Sequence, residues 1–238
     1  LRRELGINDE QAIDFSHLLP VLNITSRESP LPDGTLGACK VKGSHRLIVI
    51  STAIPDENQR RFTIAHETGH VLLHHGTGFC NRKDIDELGM RTVAEKETDA
   101  NKFAAALLLP EAVILRELKK ADLSFSMART IADHYGASLI STLIRMVRSS
   151  ADSICLFLHS NGRIEFSITS PSCMLNPRRG SISPGVHANM PSKQNAYIKR
   201  NTDYSEWFDE NYFFENSICT EESRFFPRWQ KTLSIVNV

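Results

Sequence analysis

Long apolar runs are missing from this chain of 238 residues. No stretch approaches the roughly 20 residues that a membrane-spanning helix needs, so no membrane partner is expected. A surplus of either charge is missing too: 28 Lys and Arg balance 28 Asp and Glu, for a formal net charge of zero. Chains that hold nucleic acid through bulk electrostatics carry a basic excess, so direct DNA binding is not expected here. The five cysteines, Cys39, Cys80, Cys155, Cys173 and Cys219, are odd in number and contain no C-x-x-C pair. That usage excludes a fully paired disulfide scaffold and points to the reducing cytoplasm. No secretory signal is visible at the start, which is Leu1 rather than Met, so a natural start further upstream is expected.

What the chain does have is a concentrated stretch from Arg61 to His75, RFTIAHETGHVLLHH. Within it, His66-Glu67-x-x-His70 sets two imidazoles four positions apart, one helical turn, so both rings leave the same face toward one point. Two imidazoles at that spacing suit a divalent ion. A hydrolytic zinc takes three protein ligands and leaves its fourth position to solvent, and Glu67 is placed to serve as the base. Phe62, Ala65, Val71 and Leu72 make the helix a buried one, and Gly69 allows a neighbour to approach closely. The bland alternative is an amphipathic helix with histidines on its wet edge.

A third ligand is expected from a second helix, about Val93 to Leu109, which carries Glu97, Asn101, Ala104 or Ala105, and Leu108 at helical spacing. Its alanines permit close packing. Glu95, Glu97 and Asp99 compete for the ligand role. Glu97 is preferred because Asn101, one turn later, can hydrogen-bond a ligand histidine. Glu95 suits a solvated helix start that favours the N-terminal dipole.

These two blocks, Arg61 to His74 and Glu97-Thr98-Asp99-Ala100-Asn101 through Pro110, resemble the ImmA/IrrE family of zinc metallopeptidases. The resemblance implies zinc on His66, His70 and Glu97, with Glu67 activating the water. Manganese or iron would also suit two histidines and a carboxylate. It further implies a protein substrate of narrow type, a helix-turn-helix transcriptional repressor, whose cleavage relieves repression of phage, mobile-element or stress genes. Many relatives carry an additional N-terminal DNA-binding domain, of which this sequence shows none. Thr68 stands where relatives often have Leu or Ile. The competing reading is a non-catalytic or DNA-binding regulator that acts on a repressor by contact alone.

The expected architecture is α+β. A mainly helical, zincin-like core with a small sheet occupies 1–110, a helix-turn-helix-like helical unit 111–150, and a smaller C-terminal α+β domain 151–238. Residues 1–29 read as helical, with Asp9 a possible N-cap, before the turn cluster Ser29 to Gly34. Leu36 to Val41 and Arg46 to Ile50 form an expected hairpin around Gly43-Ser44-His45. Leu47 to Ile50 is the candidate edge strand for pairing with substrate backbone. Gly76 to Arg91 reads as an exposed loop, and Cys80 within it has no partner at ligand spacing. His74 and His75 are read as extending the helix, and His74, one turn past His70, is a candidate oxyanion or substrate contact; His45, His134 and Tyr135 are others.

Farther on, helices over Glu111 to Lys120, Ser124 to Tyr135 and Ser138 to Arg148 flank a break at Gly136. The last two look like a helix-turn-helix used for packing, since its second helix is apolar early and basic only at Arg145 and Arg148. Ile154 to Leu158, Asn161-Gly162 and Arg163 to Ile168 make a hairpin signal, and Ile218 to Phe226 and Trp229 to Val236 read as strands split by Pro227. Tyr197, Tyr204, Trp207, Phe208, Tyr212, Phe213 and Phe214 cluster between them. This tail more weakly resembles that of longer family members, which implies a GAF-like sensor module.

Overall fold

A computed structural model describes residues 1–81, 94–183, 185–186, 197–209, 218–227 and 229–238. Among them lie six α-helices and two sheets, a mixed α+β protein. The chain forms two compact units, Leu1–Ile114 with Arg129–Thr142, and Leu115–Ala128 with Leu143–Val238.

In the first unit, α1 (Phe15–Val21) begins where the Asp14 carboxylate accepts from Ser16 N, and it buries Phe15, Leu18 and Leu19. The helix expected over all of 1–29 is therefore confined to seven residues, because Thr25–Ser29 is β1 and pairs in parallel with β3 (His45–Ser51). Thr-Ser-Arg-Glu-Ser has no apolar alternation to announce a strand. The free backbone edge of β3 decides its conformation. β2 (Thr35–Lys42) joins β3 in the expected hairpin, with Lys42 opposite His45 and Gly43 at φ 58° in the turn. β4 (Gly78–Asn81) pairs with the far side of β2, giving the order β1-β3-β2-β4.

That order corrects one expectation. β3, containing Leu47 to Ile50, has a hydrogen-bonded neighbour on each side and offers no edge for a substrate strand. Among the described strands the edges are β1 and β4. The segment read as an exposed loop also contains a strand, β4, while residues 82–91 of it lie outside the described residues.

Two helices complete the site-bearing layer. α2 (Glu57–Leu72) starts on Asp56, whose side chain accepts from Gln59 N, and packs on β2 and β3. α3 (Glu95–Leu108) lies against α2. A Cβ on Gly69 would stand 3.3 Å from Ala100 Cα and 3.0 Å from Phe103 Cδ1, so the two helices approach closely enough that a larger residue at 69 would require a neighbour to shift. The buried Arg2 guanidinium donates to the Leu107 carbonyl, near the C-terminal end of α3, and to the carbonyls of Asn8 and Gln11.

The division between units falls within α4 (Glu111–Leu118), α5 (Phe125–Tyr135) and α6 (Leu139–Ser149). Gly136 at φ 60° ends α5, and Ser138 Oγ accepts from Ser141 N to start α6. Leu139, Ser141, Thr142, Leu143 and Ile144 in the first turns of α6 are buried. A recognition helix reads bases with these same N-terminal positions.

The second unit carries a six-stranded sheet built from β5 (Ile154–Ser160), β6 (Arg163–Thr169), β7 (Gly180–Ser181), β8 (Tyr197–Asp203), β9 (Ile218–Phe226) and β10 (Lys231–Asn237). Its order is β7-β6-β5-β10-β9-β8, all antiparallel. Asn161 at φ 48° and Gly162 at φ 74° make the tight turn that the Asn-Gly pair announces. Trp207, Phe208, Phe157 and Tyr204 fill the core on one face. Tyr212, Phe213 and Phe214 lie outside the described residues.

Candidate metal centre

α2 turns His66 and His70 inward, where both are buried, and their Nε2 atoms stand 3.0 Å apart. The first turn of α3 brings Glu97 against them: Oε2 lies 3.2 Å from His66 Nε2 and 3.1 Å from His70 Nε2. Three donor atoms thus form a nearly equilateral triangle. Ligands held at about 2.0–2.1 Å around one tetrahedral ion lie about 3.4 Å from one another, so the triangle is close to one face of such a site. Of the rival carboxylates, Glu95 is exposed and Asp99 faces Lys102 at 3.7 Å.

The outer nitrogens are tied down. His66 Nδ1–H donates to Asn101 Oδ1 at 3.0 Å, which leaves the Nε2 lone pair facing the triangle. His70 Nδ1 lies 3.0 Å from His75 Nδ1. Burial, and then His70, push the His75 imidazole below its usual range, which favours it as the neutral acceptor of a His70 proton. Here the expectation for His74 fails. α2 stops at Leu72, His74 sits at φ 58°, and His75 N donates to the His70 carbonyl at 3.0 Å, a Schellman reversal that sends His74 to solvent. His134 and Tyr135 are engaged elsewhere, with the Glu10 and Asp9 carbonyls, and His45 is exposed.

Glu67 points at the β-sheet side of the triangle and is 0% exposed. Among the described residues, neither carboxylate oxygen has a nitrogen or oxygen partner. Burial pushes its pKa up to about 7, while the facing thiols of Cys80 and Cys39 and the nearby His70 pull the other way. Gly37 on β2 makes room for it: a Cβ there would stand 2.9 Å from Glu67 Cδ and Cγ. Glu97 is shifted oppositely. Burial alone would raise it, but hydrogen bonds to His66 and His70 outweigh that and hold it at about 2.

Cys80 joins this group, contrary to the reading of its sequence spacing. One ligand atom from each of His66, His70, Cys80 and Glu97 lies within 4.8 Å of every other. Pairing of β4 with β2 sets Cys80 opposite Gly37, and so beside Glu67. Burial, and then Glu67, push the Cys80 thiol up, so it stays protonated while no cation faces it. No local spacing signals this contact, because it depends on a strand pairing across more than forty residues. His75 was equally silent: it enters only because the helix reverses. The donor set of two imidazoles, a carboxylate and a thiol, with an unpartnered buried carboxylate beside it, fits a divalent ion of the zinc type.

A mixed α+β fold carries this candidate centre, and comparison with known proteins supplies the class, that of the metallopeptidases. The family model of the IrrE N-terminal-like domain, peptidase M78, matches residues 20–147, and the chain belongs to this metallopeptidase family. It is 40% identical over 78 residues to the radiation response metalloprotease IrrE of Deinococcus radiodurans, a match covering 32% of this chain and 23% of that protein. In fold it is similar to a Mycobacterium tuberculosis transcriptional regulator, with a TM-score of 0.53 over 93% of this chain and 68% of the other at 13% identity. Among the described residues no helix is long and apolar enough to cross a membrane.

Proposed function

We propose that this chain is a zinc-dependent endopeptidase acting on a protein substrate, with His66, His70 and Glu97 as ligands and Glu67 as the general base. The observation that carries the reading is the triangle of three donor atoms 3.0–3.2 Å apart beside a buried carboxylate with no nitrogen or oxygen partner among the described residues. Zinc bound there would polarise the scissile carbonyl and acidify water. Asn101 and His75 orient the two imidazoles. Glu67 takes a proton from water at its carboxylate and returns it to the leaving amine, and its raised pKa suits a group that must do both near neutrality. β4, an edge strand among the described strands, replaces β3 as the strand that receives substrate backbone, since it runs past the centre at Cys80.

The substrate we favour is a helix-turn-helix transcriptional repressor, cleaved to relieve repression in the cytoplasm. That choice rests on the family resemblance alone. The same holds for the sensor role of a GAF-like module over 151–238, to which the second sheet lends a core but no ligand; the three-part division at 110 and 150 rests on the helix stop at Pro110 and the change from helical to strand-like sequence around 149–153. The test is incubation of zinc-loaded protein with the repressor encoded beside its gene, followed by mass spectrometry of the products. The wild type should give discrete fragments. Glu67→Gln should bind zinc normally and cleave at least about 100-fold more slowly. A Glu67→Gln protein that relieves repression as well as the wild type would establish action by contact instead.

A further inference from the structure

We propose that Cys80 is a fourth protein ligand, which closes the metal centre in the resting state and must withdraw before hydrolysis. The inference rests on the metallopeptidase reading and adds a regulatory group to it. Three protein donors leave a zinc site open for chemistry, whereas four close it into the coordination of a structural site. Here a fourth donor is already present. Cys80 is 2% exposed, and its sulfur belongs to the cluster whose ligand atoms lie within 4.8 Å of one another.

The strand that carries it is suited to movement. β4 has four residues, pairs on one side only among the described strands, and shifts register against β2 between Thr35 and Gly37. Ligands around a tetrahedral ion holding one sulfur at about 2.3 Å lie roughly 3.4–3.6 Å apart, so closure from the present separations needs a shift of about 1 Å. A short edge strand with a bulge permits such a shift more readily than an internal strand.

Closure breaks the Cys80 S–H bond, the proton leaves to solvent, and the sulfur electron pair becomes the fourth donor. No oxidant is needed, and the reverse step restores the thiol. Closure therefore fills the position that solvent requires, and withdrawal of β4 opens it again.

The test uses the full chain, stripped with chelator and titrated with cobalt under reducing, oxygen-free conditions. The wild type should bind one cobalt and show near-ultraviolet sulfur-to-cobalt charge-transfer absorption together with visible d–d bands. Cys80→Ser should keep the visible bands and lose the charge transfer, while Cys39→Ser keeps both. Zinc competition should show Cys80→Ser binding about 10–100-fold more weakly. Stoichiometric cobalt without charge transfer in the wild type, or its survival in Cys80→Ser, overturns the inference and leaves the metallopeptidase reading intact. Absence of any cobalt or zinc binding by the wild type overturns both. X-ray absorption of the zinc-loaded wild type, which needs no variant, should show one sulfur at about 2.3 Å, and a shell of nitrogen and oxygen alone overturns the inference.

Discussion

Gly69→Ala tests the packing that assembles the centre. Gly69 sits in the last turn of α2, where exchange for alanine in an isolated helix would gain up to about 1 kcal/mol of helix propensity. In this protein the new Cβ would meet Phe103 Cδ1 at 3.0 Å and Ala100 Cα at 3.3 Å. The ring can turn aside, but Ala100 Cα belongs to the backbone of α3 and yields only if the helix moves. Overpacking of this kind costs about 1–3 kcal/mol, so the net expectation runs from no gain to a loss of about 2 kcal/mol. A displacement of a few tenths of an ångström also carries Glu97 away from imidazoles that it now meets at 3.1 and 3.2 Å. Metal affinity should fall with it, by about 10–100-fold, as for other losses of ligand orientation. Urea denaturation of the chelated protein reads the first effect, and zinc competition with a chromophoric chelator reads the second. A Gly69→Ala protein that is about 1 kcal/mol more stable, with unchanged zinc affinity, would refute the close approach of α2 and α3.

Gly37→Ala should leave the three metal donors in place but push the Glu67 carboxylate aside, since its Cβ would lie 2.9 Å from Glu67 Cδ. Zinc stoichiometry should therefore be retained while cleavage falls by about 10²-fold or more, and retained cleavage would place the base elsewhere. In the second unit, burial lowers His159 from 6.5 to about 4, and its Nε2 lies 2.8 Å from Ser234 Oγ. The folded state binds this proton less tightly than the unfolded state does. His159 thus contributes stability that is fully present above pH 6.5 and is lost as pH falls toward 4, on the order of 3 kcal/mol. Denaturation of His159→Gln across pH 4–7 should lack that dependence, and curves parallel to the wild type would show that His159 is not buried as a neutral ring.

The spacing His66-Glu67-x-x-His70, with apolar Phe62, Ala65 and Val71 around it, determined by itself that two imidazoles would leave one buried helix face, because helical periodicity is a local property. Asn161-Gly162 likewise determined its hairpin, since few other pairs accept positive φ at both positions. Glu97 could be preferred over Glu95 and Asp99 only through Asn101, and contact with the histidines depended on how closely Gly69 lets α3 approach. Tertiary structure alone decided the rest. Thr25–Ser29 became a strand because β3 offered it an edge, and by doing so it removed β3 as an edge for any substrate. His75 rather than His74 met His70 because the chain reverses at a positive φ. Cys80 reached the candidate metal centre through its pairing with β2, a contact between residues far apart in the chain that only the folded sheet brings together.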